Sequence, residues 1–238
     1  MGATLDYSKA MAAVLERGLI KPIHRERFDH FTIEDCLGLV DRIGKARDQK
    51  FVIDSENIFA YENFIKWLHA DPTMLALDPV TKEMIPGDLN KGIYIGGNTG
   101  TGKSWCCDIM RAYADLFSFK VKIGDRTRRI FWSTARAEEI VSEFVAKTNI
   151  EQYKNAPMLC VQDFGSEPAE ALAMGNRQNV LRILLEHRAD QTDEFTFITS
   201  NFSMCNPQLA AVYGDRVASR LYGMCNYFEI KGKDRRKM

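Results

Sequence analysis

An eight-residue glycine-rich segment between an apolar strand and a helix constrains this chain more than any other feature. Residues 97–104 read GNTGTGKS and satisfy G-x-x-x-x-G-K-[ST] at every position. An apolar strand precedes the segment and a helical pattern, 105–117, follows it, which is the context in which this pattern binds phosphate. Glycines let the backbone N–H groups turn inward around an anion, and the helix N terminus adds a positive dipole.

The residue types in this segment give it a role in holding a nucleotide and its metal ion. Lys103 places a cation on the β- and γ-phosphates, and Ser104 offers a hydroxyl to Mg²⁺. Nucleotide kinases, GTPases, motors and AAA+ ATPases all use such a loop, so other motifs must distinguish them. The predicted nucleotide-binding residues are Gly97, Asn98, Thr99, Gly100, Thr101, Gly102, Lys103, Ser104 and Trp105.

Composition excludes several other classes of protein. The 238 residues carry 32 basic and 32 acidic side chains, so the net charge is zero and a uniformly basic coat protein is excluded. No apolar run approaches the roughly 18 residues of a membrane helix, and the N terminus lacks the order of a signal peptide. Six cysteines without a Cys-x-x-Cys pair indicate reduced thiols. We therefore expect a cytoplasmic protein with no membrane contact.

The apolar pattern alternates between strands and helices from residue 92 onward. Strands are predicted at 92–96, 129–133, 158–162, 195–199 and 226–230, and helices at 103–117, 135–147, 176–190 and 207–221. This alternation predicts an α/β fold, a three-layer αβα sandwich around a mostly parallel five-stranded sheet. Residues 71–90 hold three prolines and a glycine, which predicts a loop or hairpin excursion.

The first 50 residues form a predicted helical appendage, and residues 51–238 form the core. An amphipathic helix is predicted over 6–20, and a second helix begins after Thr32, which can cap the amide of Asp35, and runs to about Asp48. Within the core, Ser55 is a predicted cap for a helix with apolar residues from Ile58 to Leu68.

Three further motifs follow the loop. Asp163 ends the apolar strand 158–162, at the position where a carboxylate holds Mg²⁺, although an acid there can also begin a turn. Asn201 ends the strand 195–199 and could orient an attacking water, or simply cap a turn. Arg216 and Arg220 lie four residues apart on one helix face. One of them could reach the γ-phosphate bound by a neighbouring molecule, or both could belong to a solvated or ion-paired surface.

Together these motifs resemble the DnaC/DnaI-type helicase loaders, which are AAA+ ATPases related to DnaA and IstB. The resemblance covers about 51–235 and rests on GGNTGTGKS, VQDFG, TSN, YGDRVASRL and FEIKGKDRR in that order. It implies ATP as the nucleotide, a replicative ring helicase and single-stranded DNA as partners, and self-assembly through an arginine finger. It also implies that the N-terminal region contacts the helicase, and the chain leaves little room for a full C-terminal helical lid.

The resemblance assigns roles to matching residues. Residues 97–104 would be Walker A and Asn201 sensor 1, so the predicted catalytic set is Lys103, Asp163, Asn201, Arg216 and Arg220. Arg220 looks like the finger, with Arg216 as the alternative, and Arg188 matches an arginine common in these proteins.

The Walker B strand departs from this family. The family usually has two adjacent acids, but here Gln162 precedes Asp163, and an amide is a poorer magnesium ligand than a carboxylate. Glu167 is a further carboxylate nearby. Either Asp163 takes over the metal role or hydrolysis is slow while binding persists, so the predicted metal ligands are Ser104 and Asp163.

Two basic clusters are candidates for contact with single-stranded DNA, with a solvated loop and tail as the alternative. Trp132 or Phe131 could stack on bases, although such rings more often pack in a core. The first cluster comprises Lys120, Lys122, Arg126, Arg128 and Arg129, and the second comprises Lys231, Lys233, Arg235, Arg236 and Lys237.

Other functions compete with helicase loading. An IstB-like transposition helper would use the same core with duplex DNA and a transposase. The amide of Gln162 favours a nucleotide-dependent scaffold with little hydrolysis. A small-molecule P-loop kinase would need an acceptor pocket and a basic lid, for which residues 163–195 show no signature.

Overall fold

The computed structural model describes residues 6–18, 21–173, 175–191 and 193–237. The helices are α1 (Tyr7–Glu16), α2 (Ile33–Arg47), α3 (Ile58–Leu68), α4 (Lys103–Phe117), α5 (Ala137–Lys147), α6 (Glu151–Lys154), α7 (Val180–Ala189), α8 (Pro207–Tyr213) and α9 (Asp215–Met224), with a 3₁₀ helix at Arg235–Lys237. The strands are β1 (Ile23–Arg25), β2 (Leu75–Leu77), β3 (Met84–Pro86), β4 (Gly92–Gly96), β5 (Lys120–Ile123), β6 (Arg126–Arg129), β7 (Ser133–Arg136), β8 (Met158–Phe164), β9 (Ala171–Ala173), β10 (Asn176–Gln178), β11 (Phe195–Ser200) and β12 (Cys225–Glu229).

The central sheet has seven strands in the order β3-β2-β12-β4-β11-β8-β7. Neighbours from β12 to β7 run parallel, whereas β2 and β3 form an antiparallel hairpin at one edge. Both β4 and β11 are buried along their whole length, as expected for parallel strands covered on both faces. The mostly parallel sheet is thereby confirmed. Four of its five parallel strands lie where the sequence predicts them, and the proline-rich excursion 71–90 adds two edge strands.

Helices cover both faces of the sheet and form one hydrophobic core on each. Because successive side chains of a strand point to opposite faces, Ile93 and Ile95 enter the core with α2, α3 and α4, whereas Tyr94 enters the core with α5, α7, α8 and α9. Trp132 and Phe197 pack at the centre of the first core, with ring centroids 4.5 Å apart. The predicted αβα sandwich is confirmed.

The predicted strand 129–133 is wrong, because the chain changes its pairing partner within it. Strand β6 pairs with β5 up to Arg129, and β7 pairs with β8 from Ser133 onward. Between them Ile130 and Trp132 are buried and Phe131 is exposed, so the alternation of an extended chain persists without a partner strand. Trp132 therefore belongs to the core and cannot stack on bases.

Two predicted helices have different limits. The helix predicted at 135–147 begins at Ala137, because β7 extends to Arg136. The helix predicted at 207–221 is divided at Gly214, whose φ of +86° is incompatible with a continuous right-handed helix. Its second part, α9, continues to Met224.

The helix predicted at 176–190 begins four residues later. Residues 176–178 instead pair with 171–173 in a short antiparallel hairpin. Helix α7 then starts at Val180, because the side chain of Asn179 accepts a hydrogen bond from the backbone N–H of Arg182 and caps the first turn.

The N-terminal 50 residues contact the core unevenly. Helix α2 packs on α3 and α4 and buries Cys36 and Val40, and β1 pairs with β5. Helix α1 has no buried residue, and Tyr7, Met11 and Leu15 on its apolar side are exposed. The helix predicted over 6–20 is described as Tyr7–Glu16, and residues 19 and 20 lie outside the described part. The domain boundary at residue 50 stays a prediction.

The described chain continues over residues 230–237 after β12 and includes the 3₁₀ helix Arg235–Lys237. None of the described helices is both long enough and apolar enough to span a membrane.

Candidate nucleotide-binding site

A glycine-rich loop joins the carboxyl end of β4 to the first residue of α4. Gly100 and Gly102 have φ angles of +79° and +99°, which glycine adopts without steric cost. Helix α4 begins at Lys103 and ends at Phe117, as the sequence predicts. Because the first N–H groups of a helix have no intrahelical acceptor, this junction offers donors and a positive dipole to an anion.

Lys103 lies at the centre of the site, and two neutral oxygens hold its ammonium group. Its Nζ donates to the carbonyl oxygen of Asn98 at 2.7 Å and to Oδ1 of Asn201 at 2.9 Å. Burial lowers the pKa of Lys103 to about 8, while the charge of Asp163 acts in the opposite direction. A partly desolvated cation with neutral partners gains strongly from an anionic phosphate. Asn201 thus lies beside Lys103, and its role as sensor 1 stays a prediction.

Oxygen ligands suited to Mg²⁺ lie next to Lys103. The Oγ of Ser104 is 3.5 Å from Oδ1 of Asp163 and 3.3 Å from Oγ1 of Thr199. The Thr199 hydroxyl accepts from the backbone N–H of Asp163 at 3.1 Å, which orients the acid. Magnesium commonly takes one or two protein oxygens and keeps water and phosphate as its other ligands, so this set fits the ion. Among the described residues no group of three His, Cys, Asp or Glu side chains could hold a metal.

The backbone of Asp163 is held in an uncommon conformation. Its φ is +57°, in the left-handed region that a non-glycine residue rarely occupies. Such conformations persist only where the surrounding structure enforces them, and they concentrate at functional sites. Here the flanking Gly165, with φ +92°, and the hydrogen bond from Asp163 to Thr199 turn the strand end toward the loop.

The side-chain amide of Gln162 contacts α4, where it also lies 3.5 Å from the carbonyl oxygen of Ser104. Its Nε2 donates to Oδ1 of Asp108 on α4 at 2.9 Å, and the other carboxylate oxygen of Asp108 accepts from Arg47 of α2 at 2.9 Å. Gln162 therefore links the end of β8 to two helices. A carboxylate at its position would face Asp108, so the amide avoids the repulsion of two neighbouring acids.

Glu167 is already engaged by donors of the protein. It is buried, its Oε2 accepts from the backbone N–H of Gly165 at 2.9 Å, and its Oε1 accepts from the Tyr213 hydroxyl. Burial, reinforced by the charge of Glu167, raises the pKa of Tyr213. Both oxygens of Glu167 thus tie the turn after β8 to α8, and Asp163 remains the acid beside Ser104.

The three arginines singled out in the sequence have different surroundings. Arg220 donates to the carbonyl oxygen of Glu186 at 2.7 Å and to Oδ1 of Asp190 at 2.6 Å, so it is bound to α7 of its own chain. Arg216, one turn earlier on α9, is exposed and has no hydrogen bond or ion pair with any described residue. Arg216 is therefore the more accessible of the two for a neighbouring molecule.

Arg188 is a structural residue of the core. Its side chain is fully buried, and it donates to Oγ1 of Thr196 and to the carbonyl oxygens of Tyr153, Ala156 and Phe195 at 2.7–3.0 Å. Glu194 forms an ion pair with it at 3.1 Å. Arg188 therefore joins α7 to the residues that lead into β8 and β11.

Solved structures of other proteins have a fold similar to that of this chain. No protein-family model matches the sequence, and neither does any curated protein. The DnaC helicase loader aligns with a TM-score of 0.51 at 16% identity, over 80% of this chain and 99% of that chain. A Streptococcus pyogenes serotype M3 protein, described as a candidate primosome component, aligns with a TM-score of 0.51 at 18% identity, over 76% and 83%. This chain has the fold of the DnaC helicase loader. At such identity the DnaC likeness establishes the fold, while activity depends on the site residues.

A part of the site that the sequence did not predict lies on the loop of this DnaC-type fold. The backbone N–H of Arg235 donates to the carbonyl oxygen of Gly100 at 2.9 Å, and its guanidinium donates to Asp54 at 2.8 Å. The sequence predicts a DNA contact or a solvated tail for the C-terminal basic residues. These contacts join residues more than 130 positions apart, so the local sequence does not predict them. The only local indication of pairing within the chain is the acid among the basic residues of KGKDRR.

The first basic cluster lies far from the nucleotide site, on the β5–β6 hairpin. The hairpin follows the C-terminal end of α4, about 22 Å from the loop at 1.5 Å per residue. Lys120, Lys122 and Arg129 share its solvent face, where Arg129 pairs with Asp115. Arg126 and Arg128 lie on the opposite face, in register with Ile123 and Val121, which enter the core.

Proposed function

We propose that this protein is an AAA+ ATPase that binds ATP with Mg²⁺ and loads a ring helicase onto single-stranded DNA. The observation that carries the proposal is the convergence of Lys103, Asn201, Ser104 and Asp163 at the glycine-rich loop. They come from three elements widely separated in sequence, α4 and the ends of β8 and β11. A chance glycine-rich turn would not bring these residue types together.

Each of these residues has a defined task in hydrolysis. Lys103 neutralises charge on the β- and γ-phosphate oxygens, and the loop N–H groups hold the same oxygens. Ser104 and Asp163 hold the magnesium ion, which when bound supplies further positive charge to the phosphates. Asn201, whose amide already lies 2.9 Å from the Lys103 ammonium, orients the water that attacks the γ-phosphate.

The environment of Gln162 supports a nucleotide-dependent scaffold as the second candidate. Because the amide is directed to Asp108, the site has one carboxylate beside Ser104. Binding of ATP needs the loop and Lys103, whereas fast hydrolysis needs strong activation of water. We therefore expect ATP binding with slow turnover.

The exposed apolar side of α1 supports a protein partner for the N-terminal region. A helix that leaves Tyr7, Met11 and Leu15 in water gains by burying them against another molecule. Structural similarity to a helicase loader makes a ring helicase the partner we propose.

Replacing Lys103 by alanine tests the nucleotide-dependent step. We expect about 100-fold weaker ATP binding, because the charge-assisted contacts to phosphate are lost. The ring helicase from the same source, immobilised, should retain the wild-type protein better with ATP than without, and retain K103A equally in both conditions.

The control for this experiment is Lys147→Ala, which removes an equally charged but exposed side chain at the end of α5. It should behave as wild type. Unaltered ATP affinity in K103A would contradict the proposal, as would retention of a transposase in place of the helicase.

We further propose that the solvent face of the β5–β6 hairpin contacts single-stranded DNA through Lys120 and Lys122. The double substitution of both lysines by glutamine should weaken binding of an oligothymidine. It should also reduce the slope of log K against log salt by about 1.4, since each phosphate contact on a single strand contributes about 0.7. Gln substitution of Lys45, which pairs with Asp41 on α2, should leave the slope unchanged. An unchanged slope in the double variant would exclude this face.

A further inference from the structure

The segment Lys231–Lys237 crosses the glycine-rich loop after leaving the sheet. Strand β12 runs parallel to β4, so both end at the same edge, and the N–H of Ile230 donates to the carbonyl oxygen of Gly96 at 2.9 Å. A Cβ on Gly97 would lie 2.1 Å from the carbonyl oxygen of Ile230. The loop glycine is therefore required for the approach of this segment as well as for a nucleotide.

Contacts at both ends hold the segment in place. At its start, the N–H of Lys231 donates to the carbonyl oxygen of Glu56 at 3.1 Å, and a Cβ on Gly232 would overlap the Glu56 carboxylate. At its end, Arg235 donates its N–H to Gly100 and its guanidinium to Asp54. Both charged groups of the Arg235–Asp54 pair are partly buried, and the pair lowers the pKa of Asp54.

Arg236 extends from this anchored segment without a packing role of its own. Its side chain is 68% exposed, and it donates to the Asp234 carboxylate from Nε at 3.0 Å and from Nη2 at 3.3 Å. Asp234 in turn lies against Gly100, where a Cβ would come within 2.0 Å of Oδ1. The guanidinium is thus held near the phosphate loop by a single surface acid.

The position of Asp234 places Arg236 next to the loop that would hold the terminal phosphate. The carboxylate that accepts from the Arg236 guanidinium lies against Gly100, and Arg235, the residue before Arg236, donates its backbone N–H to the carbonyl oxygen of Gly100. An anionic phosphate at the loop would offer this exposed guanidinium a charge-assisted partner.

We propose that Lys231–Lys237 covers the nucleotide site and that Arg236 contacts the terminal phosphate of a bound nucleoside triphosphate. The proposal rests on ATP binding by this site. A planar guanidinium offers two parallel donors to phosphate oxygens, and a phosphate that displaces Asp234 retains both. Arg235 cannot serve in this way because Asp54 and Gly100 already hold it. The second basic cluster is then part of the nucleotide site.

Substitution Arg236→Gln tests the contact through the difference between two nucleotides. Fluorescent derivatives of a non-hydrolysable ATP analogue and of ADP are titrated into the full chain. We expect R236Q to bind the triphosphate about tenfold more weakly, since a charge-assisted pair is lost, and the diphosphate within twofold of wild type. R236K, which keeps the charge, should recover most of the loss.

Arg42→Gln is the matched control, since it makes the same change at an exposed position on α2 and should alter neither affinity. Equal weakening for both nucleotides would overturn the phosphate contact and indicate a structural role of the segment. Wild-type affinity of R236Q for both would overturn it as well. If the unsubstituted protein bound neither nucleotide, the proposed function itself would fail, so the two failures are distinguishable.

Discussion

Replacing Arg216 by alanine should lower the ATP hydrolysis rate of the assembled protein by about 10³-fold. An arginine supplied by a neighbour stabilises the charge of the transferring phosphoryl group and contributes about 10³- to 10⁵-fold. Arg216 is exposed and unpaired among the described residues, so it can reach a second molecule. The measurement is steady-state phosphate release over a range of protein concentrations, together with nucleotide affinity, which should be unchanged.

The matched substitution Arg220→Ala separates the two arginines. Because Arg220 is bound to Glu186 and Asp190 of its own chain, its removal should cost stability while leaving hydrolysis by the folded protein nearly intact. Mixing R216A with K103A should restore part of the activity, since one interface then combines an intact site with an intact finger. Loss of activity in R220A but not R216A, or no recovery on mixing, would refute the assignment to Arg216.

Replacing Arg188 by methionine should lower the free energy of unfolding by about 3 kcal/mol, because it removes a fully buried guanidinium and leaves the half-buried Glu194 without its partner. The variant also removes the donor that hydrogen-bonds to the carbonyl oxygens of Tyr153, Ala156 and Phe195. Urea unfolding measures the loss. Arg182→Met on the same helix is the control, since its exposed pair with Glu186 contributes about 0.5 kcal/mol or less.

The loss in R188M should depend on pH in a defined direction. Burial already raises the pKa of Glu194 although Arg188 opposes the shift, so removal of Arg188 raises it further. A carboxyl with a raised pKa in the folded state favours folding below its unfolded pKa and loses that contribution as pH rises through the folded pKa. R188M should therefore lose more stability at pH 8 than at pH 5. Adding Glu194→Gln should remove this dependence, and a pH-independent loss would contradict the explanation.

Local patterns predicted the parts of the site that neighbouring residues determine. Helix α4 has the predicted limits because a left-handed Gly102 begins it and Ser118, with φ +52°, ends it. Lys103 and Ser104 then follow directly from the motif. Asp163 and Asn201 lie at the loop because parallel strands end at the same edge of the sheet, which the strand–helix rhythm implies.

Contacts between residues far apart in the chain could not be predicted from sequence patterns. Arg220 pairs with Asp190, just after α7, and Arg235 pairs with Asp54, 181 positions away. Side-chain type alone cannot distinguish an arginine that pairs within the chain from one that reaches a nucleotide or DNA. Likewise, the change of pairing partner after Arg129 depends on where β5 and β8 lie, although the apolar alternation there continues unbroken.

The chain of contacts from Gln162 through Asp108 to Arg47 joins the end of β8 to α2. Thermodynamic reciprocity then applies to any molecule that binds the N-terminal region and displaces α2. If that molecule changes the affinity for nucleotide by some factor, nucleotide must change the affinity for that molecule by the same factor. Gln162, whose amide is a poor magnesium ligand, is the residue through which such a coupling between α2 and the nucleotide site would pass.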